Sequence, residues 1–202
     1  MKKYELTTET LQIAGRTLHR IKALRDFGSV KEGQFGGWIE NEKNLSQDDN
    51  AWIYGEAMAF DNAKVFGNAI VCNYAEVYDD AKVYDNACVY GYAKVYDKAN
   101  VYNNANVFDY AEAYGNVRIY GKATINGDAK VHDDADYIVF KNFWSSERYF
   151  TWTRSNNKWS VGCFYGTGEE MIKKAYADSD TSGREYERVV RYVESILADE
   201  RK

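Results

Sequence analysis

The chain has no proline in 202 residues, where an average usage near 5% would place about ten. Proline-rich linkers and collagen-like segments are excluded. Cysteine is scarce: Cys72, Cys88 and Cys163 form an odd set with no CxxC spacing and no Cys/His cluster, so neither a disulfide framework nor a zinc site is supported. Only two histidines occur, His19 and His132. Apolar runs such as Tyr137 to Phe140 fall far short of the roughly 18 residues that a membrane span needs. The opening MKKYELTTET has no apolar signal-peptide core. A cytoplasmic protein with no membrane partner is expected.

What the chain does have is 45% hydrophobic residues, enough to bury a core, and 18 tyrosines. It also has a strict period of six from Ala51 onward: NAKVFG, NAIVCN, YAEVYD, DAKVYD, NACVYG, YAKVYD, KANVYN, NANVFD. Numbered from its alanine, each unit starts with Ala in thirteen of fourteen cases, Val117 being the exception. The third position is always Ile, Val or Ala. The fifth is always Gly, Asp or Asn, the types that best tolerate positive φ, so a turn recurs every six residues. Between turns the first and third side chains share the inward face of a short strand, and the second and fourth point outward.

Such units predict a mainly β protein, a left-handed parallel β-helix whose triangular coil takes three units, or 18 residues. At that spacing one outward column reads Glu76, Lys94, Glu112, Lys130. Neighbours of alternating sign about 4.8 Å apart favour the stack. Spacing 24, for a four-sided coil, gives no comparable pattern. Residues 51–138 then make about five coils. Residues 1–50 are expected to cap the first coil, because an open β-helix end presents unpaired N–H and C=O groups. Phe35 and Trp38, beside Gly33, Gly36 and Gly37, suit a large side chain plugging the prism end. Residues 139–202 change period and predict a small α+β module: a three-stranded antiparallel unit (YIVFKNF, RYFTWTR, KWSVGCFY) followed by two helices. Thr167 with Glu170 and Ser182 with Glu185 have capping-box spacing, and Tyr186, Val189, Val190, Val193, Ile196 and Leu197 form a helical stripe.

The segment FGSVKEGQFGGWIENEKNLSQDDNAWIYGEAMAF (Phe27 to Phe60) and the VYG/VYD repeats after it cover about half the chain. They resemble the bacterial and phage hexapeptide-repeat proteins, commonly labelled acyltransferase-like or polymer-forming without an assigned activity. The tail from Tyr137 is similar to the C-terminal module of phage and prophage members, which implies a mobile-element origin.

For function, the fold implied by the resemblance raises acyl-CoA-dependent acyl transfer, in which a histidine near a subunit boundary serves as base. His132 is the only histidine in the repeats. It is a lone histidine in the outward column shared with Phe60, Tyr78, Tyr96 and Tyr114, and the unbroken period leaves no loop to build a pocket. No Ser/His/Asp, Cys/His or paired-carboxylate constellation stands out, so no catalytic residue, cofactor or metal is expected. Three features favour binding. The outward fourth position is aromatic in eleven of fourteen units, and burial of these rings, Tyr78, Tyr84, Tyr90, Tyr96, Tyr102 and Tyr114 among them, predicts a homo-oligomer, a trimer by analogy with the fold. Residues 48–136 carry fifteen acidic and seven basic side chains, a balance of −8. That disfavours nucleic-acid binding and allows mimicry of a nucleic acid toward a basic host protein. Finally, Arg148, Phe150, Trp152 and Arg154 alternate along one strand. They form either a site for a nucleotide-like anion, held by stacking and charge, or the edge of a core with the arginines snorkelling out. The expected role is a non-enzymatic scaffold of phage or prophage origin that sequesters a host defence protein or a small nucleotide signal.

Overall fold

The computed structural model describes residues 2–200, in two compact units, Met1–Asp136 and Tyr137–Lys202. The first begins with three strands, β1 (Tyr4–Ile13), β2 (Arg16–Ala23) and β3 (Phe35–Ile39), followed by fourteen two-residue rungs from Trp52–Ile53 to Lys130–Val131. Each interior rung pairs in parallel with the rungs 18 residues before and after it: Cys88 lies opposite Ile70 and Asn106, and Lys94 opposite Glu76 and Glu112. The coil is therefore three-sided. Its first face carries Met58, Glu76, Lys94, Glu112 and Lys130 outward; the second Lys64, Lys82, Asn100 and Arg118; the third Trp52, Ile70, Cys88, Asn106 and Thr124.

Inward alanines and β-branched residues are fully buried along the whole prism, Val77, Val89, Val95 and Val107 among them. Each buried valine is worth about 1.5–3 kcal/mol relative to exposure. Small Ala beside Val leaves room for the chain to turn three corners within 18 residues.

The corners explain the fifth position. Thirteen of the fourteen fifth-position residues have positive φ, from Gly55 at 64° and Asp61 at 55° to Gly127 at 65°. Their amides point along the prism, and the carboxylate one coil earlier accepts several of them. Asp49 Oδ2 takes the N–H of Gly67 at 2.6 Å, Asp85 that of Asn103 at 3.1 Å, Asp97 that of Gly115 at 3.0 Å and Asp109 that of Gly127 at 3.1 Å. Where glycine follows, the fit is close: a Cβ at Gly115 would lie 2.6 Å from the carbonyl oxygen of His132.

At the amino-terminal end, β1 and β2 form an antiparallel hairpin, β2 pairs antiparallel with β3, and β3 runs parallel to the Met58–Ala59 rung. The hairpin thus extends the first face and covers its open edge. Gly36 and Gly37 permit this crossing, since a Cβ at Gly37 would sit 2.4 Å from the Ala57 oxygen. Trp38 and Phe35 do not plug the prism end as expected. Trp38 lies on the outward side opposite Met58, packed with Leu18 and Phe60 and donating its Nε1–H to Glu56 at 2.9 Å, while Phe35 is exposed. The first inward layer is instead Ile39, Leu45 and Ile53, which lead the columns of Ala59, Val65 and Val71.

The second unit holds four antiparallel strands, not three: Tyr137–Lys141, Tyr149–Thr153, Lys158–Val161 and Phe164–Gly166. KWSVGCFY breaks in two because Gly162 turns at φ 58°. Tyr137 and Ile138 open this sheet and do not close the last coil. Helix α1 (Gly168–Asp178) starts with the Thr167/Glu170 capping box. Helix α2 (Asp180–Asp199) starts three residues before the expected Ser182 cap, because Ser179, extended at φ −171°, accepts the Ser182 N–H. Tyr186, Val190 and Val193 of the predicted stripe are buried against Phe150, Trp152, Trp159 and Val161 of the sheet. No helix among the described residues is long and apolar enough to cross a membrane.

Candidate functional site

The strand Tyr149–Thr153 turns its Phe150 and Trp152 side inward, under the helices. Phe150 is 0% and Trp152 1% exposed; Phe150 packs on Tyr186 with ring centroids 4.5 Å apart, and Trp152 Nε1 donates to Asn157 at 2.8 Å. Arg154 forms a two-pronged pair with Glu200, at 2.6 and 3.1 Å. Arg148 runs beside the Gly162 turn and lines a small cavity of about 200 Å³ with Lys174, Asp178 and Tyr186. The four residues therefore do not assemble into a stacking site. The aromatic faces are occupied by helix side chains, and one of the two guanidinium groups is neutralised.

On the prism, the expected aromatic columns form as parallel stacks. Phe60, Tyr78, Tyr96 and Tyr114 follow one another at 5.0–5.1 Å, and Tyr84 and Tyr102 stand 5.0 Å apart. Tyr90 lies on Phe108 at 4.6 Å. Phe60 is buried beneath the cap, and the other rings are half-buried. Burial, followed by the nearby Glu76 and Asp79, raises the Tyr78 phenol to about 12. Burial and the hydrogen bond that Tyr96 donates to Glu112 at 2.9 Å raise Tyr96 as well.

A more exposed ladder stands at the sixth position, at the corner where the third face gives way to the first. Tyr74, Tyr92 and Tyr110 stack at 5.0 and 5.2 Å with ring planes within 6°. They are 52%, 50% and 67% exposed. Sequence reasoning tracked positions two and four and missed them, although the stride of 18 that aligned Glu76 with Lys94 also aligns these three. The ladder borders a charge-poor surface: at positions two, four and six from Ile70 to Tyr110 the third face shows Ile70, Cys72, Tyr74, Cys88, Tyr90, Tyr92, Asn106, Phe108 and Tyr110, with Asp109 at the fifth position as the one charge among them. The first face, by contrast, carries Glu76–Lys94 and Glu112–Lys130 ion pairs at 3.4 and 2.9 Å. Cys72 and Cys88 are free and half-buried, and burial pushes both thiols up, away from thiolate reactivity.

His132 is exposed, edge-on to Tyr114 at 5.3 Å, with Nδ1 3.7 Å from Asp133 Oδ2. Asp136 completes a group of three side chains whose ligand-type atoms lie within 4.8 Å of one another. Its Oδ2, however, already accepts the N–H groups of His132 and Asp133, which closes the last corner.

Three faces, 18-residue coils and Gly/Asp/Asn corners define a hexapeptide-repeat parallel β-helix. A segment of the chain is 38% identical over 77 residues to "Uncharacterized acetyltransferase YdcK" of Escherichia coli (strain K12), a match covering 34% of this chain and 24% of that protein. The chain thus spans about a quarter of the length of that relative. No known family profile matches the chain.

Proposed function

We propose that the protein is a non-enzymatic scaffold that assembles with copies of itself through the third face of its prism. The observation that carries this reading is the charge-poor third face from Ile70 to Tyr110, where the corner residue Asp109 is the single ionised side chain, edged by the exposed Tyr74, Tyr92 and Tyr110 ladder, on a chain with 28% charged residues. An aromatic-rich surface this poor in charge matches the core of an interface better than a solvated face. A trimer is the expected assembly. Five of the prism's fifteen acidic side chains, Asp49, Asp79, Asp85, Asp97 and Asp109, accept backbone amides one coil on, which gives part of its acidity a structural role. Sedimentation velocity tests the reading: the wild type should sediment as an oligomer, and Ile70→Lys with Tyr92→Lys should give a folded monomer. A wild type that stays monomeric at high micromolar concentration would overturn it.

A second reading, acetyl transfer, is supported by the name of the Escherichia coli relative, an uncharacterized acetyltransferase, and by the exposed His132 beside Asp133. It predicts consumption of acetyl-CoA that is lost in His132→Ala. The absence of turnover across a panel of amine and hydroxyl acceptors would leave the scaffold reading alone.

A further inference from the structure

The second face breaks the charge rule that the first face obeys. At the same outward position where Glu76, Lys94, Glu112 and Lys130 alternate, the second face sets Lys64 directly opposite Lys82 in parallel register, about 4.8 Å apart along the prism. Like charges placed opposite each other destabilise a sheet. Lys43 and Lys98 line the same groove, whose volume is about 560 Å³, within the range of small-molecule sites. None of the four lysines forms an ion pair among the described residues; Lys43 donates to Asn62 Oδ1 at 3.1 Å. Asp80 is the one carboxylate lining the groove, and it accepts from Asn62 Nδ2 at 3.2 Å. Four amines against one carboxylate leave a local excess of three positive charges in this groove, beside a repeat region, residues 48–136, whose balance is −8; Lys98 also borders Asp79 and Asp97 in the adjoining groove, so the excess centres on Lys43, Lys64 and Lys82. A local rule broken without a compensating contact marks a functional site more often than a defect.

We propose that this groove binds a small anion carrying two or more adjacent phosphate groups. Lysine ammonium groups hold phosphate oxygens as point charges, and two of them one rung apart can engage neighbouring phosphates of one chain. A single carboxylate or chloride would leave most of the excess charge unmatched. The acidity of the rest of the prism argues against a long nucleic acid lying along it. The site is on a different face from the proposed self-association surface and does not depend on it.

The experiment is isothermal titration of the full chain with inorganic tripolyphosphate, pyrophosphate and ATP, against sodium sulfate at matched ionic strength. Tripolyphosphate should bind one per chain, more tightly than pyrophosphate, and sulfate should bind far more weakly. Lys64→Gln and Lys82→Gln should each weaken binding about tenfold. Lys94→Gln, at the equivalent position of the first face, should leave it unchanged. The ligand-free melting temperature separates this from a structural role, because removing one of two stacked lysines should raise it or leave it level. ATP binding above tripolyphosphate would identify a nucleotide as the source of the phosphates, and equal or weaker ATP binding an inorganic chain. Sulfate competing on equal terms, affinity unchanged in both lysine variants, or a lower melting temperature in them would overturn the proposal.

Discussion

At the corner of each coil a single residue does two jobs. Asp97 takes positive φ at 55° and its carboxylate accepts the N–H of Gly115 one coil later. Asp97→Ala should therefore destabilise the prism by about 1 kcal/mol, from the lost carboxylate–amide hydrogen bond and from alanine's poorer tolerance of the left-handed region, and Asp97→Asn should recover most of it. Denaturant melts of the two variants check this; an alanine variant as stable as wild type would remove the carboxylate from the account. The turn was legible in the sequence, since Gly, Asp and Asn share a tolerance for positive φ. The hydrogen bond was not, because its partner lies 18 residues away and any of the three types satisfies the local requirement. Lys3 shows the same limit. Its amine is buried, donates to the carbonyls of Asp49 and Ala51 at 3.0 and 2.9 Å, and is lowered by burial to about 8, yet nothing in MKKYELTTET marks Lys3 apart from Lys2.

Columns are the elements of this fold, and their chemistry sets its pH response. Lys3 loses its proton in the folded state before it does in the unfolded one, so its contribution makes stability rise with pH from about 8 to the ordinary lysine value of 10.5. The raised tyrosines act in the opposite sense. Tyr4, Tyr78 and Tyr96 stay protonated in the fold above the ordinary value of 10.0, so their contribution is intact below it and is lost as the pH climbs further. Absorbance titration of tyrosinate should show these rings ionising late, together with loss of ellipticity. Smooth titration of all 18 tyrosines near pH 10 in a still-folded protein would contradict the stacked columns. The ion pairs on the first face matter less: Lys94→Glu should cost under about 1 kcal/mol and the loss should shrink in salt, because the pair with Glu76 is exposed. The alternation of Glu and Lys was enough to find the 18-residue stride. The direction of the RYFTWTR face was not readable, since period two places Phe150 and Trp152 on one side of a strand without saying whether helices or solvent lie there. Only the later stripe from Tyr186 to Leu197 pointed to a cover, and it packs there.

For the first unit as a whole, the absence of any insertion turns length into phase. Removing residues 75–92 joins Tyr74 to Ala93 and takes out one full coil, so each later rung keeps its face and Tyr74 comes to stack on Tyr110. Removing residues 75–86 leaves the six-residue rhythm and the buried Ala and Val columns equally intact, but it advances everything beyond the cut by a third of a turn. Cys88 then follows Met58 on the first face, and the charge-poor surface is split between two sides. Both shortened proteins should fold, with similar ellipticity and cooperative melts, while only the first should still self-associate. The regularity that makes the fold tolerant of losing coils makes its surfaces intolerant of losing fractions of one.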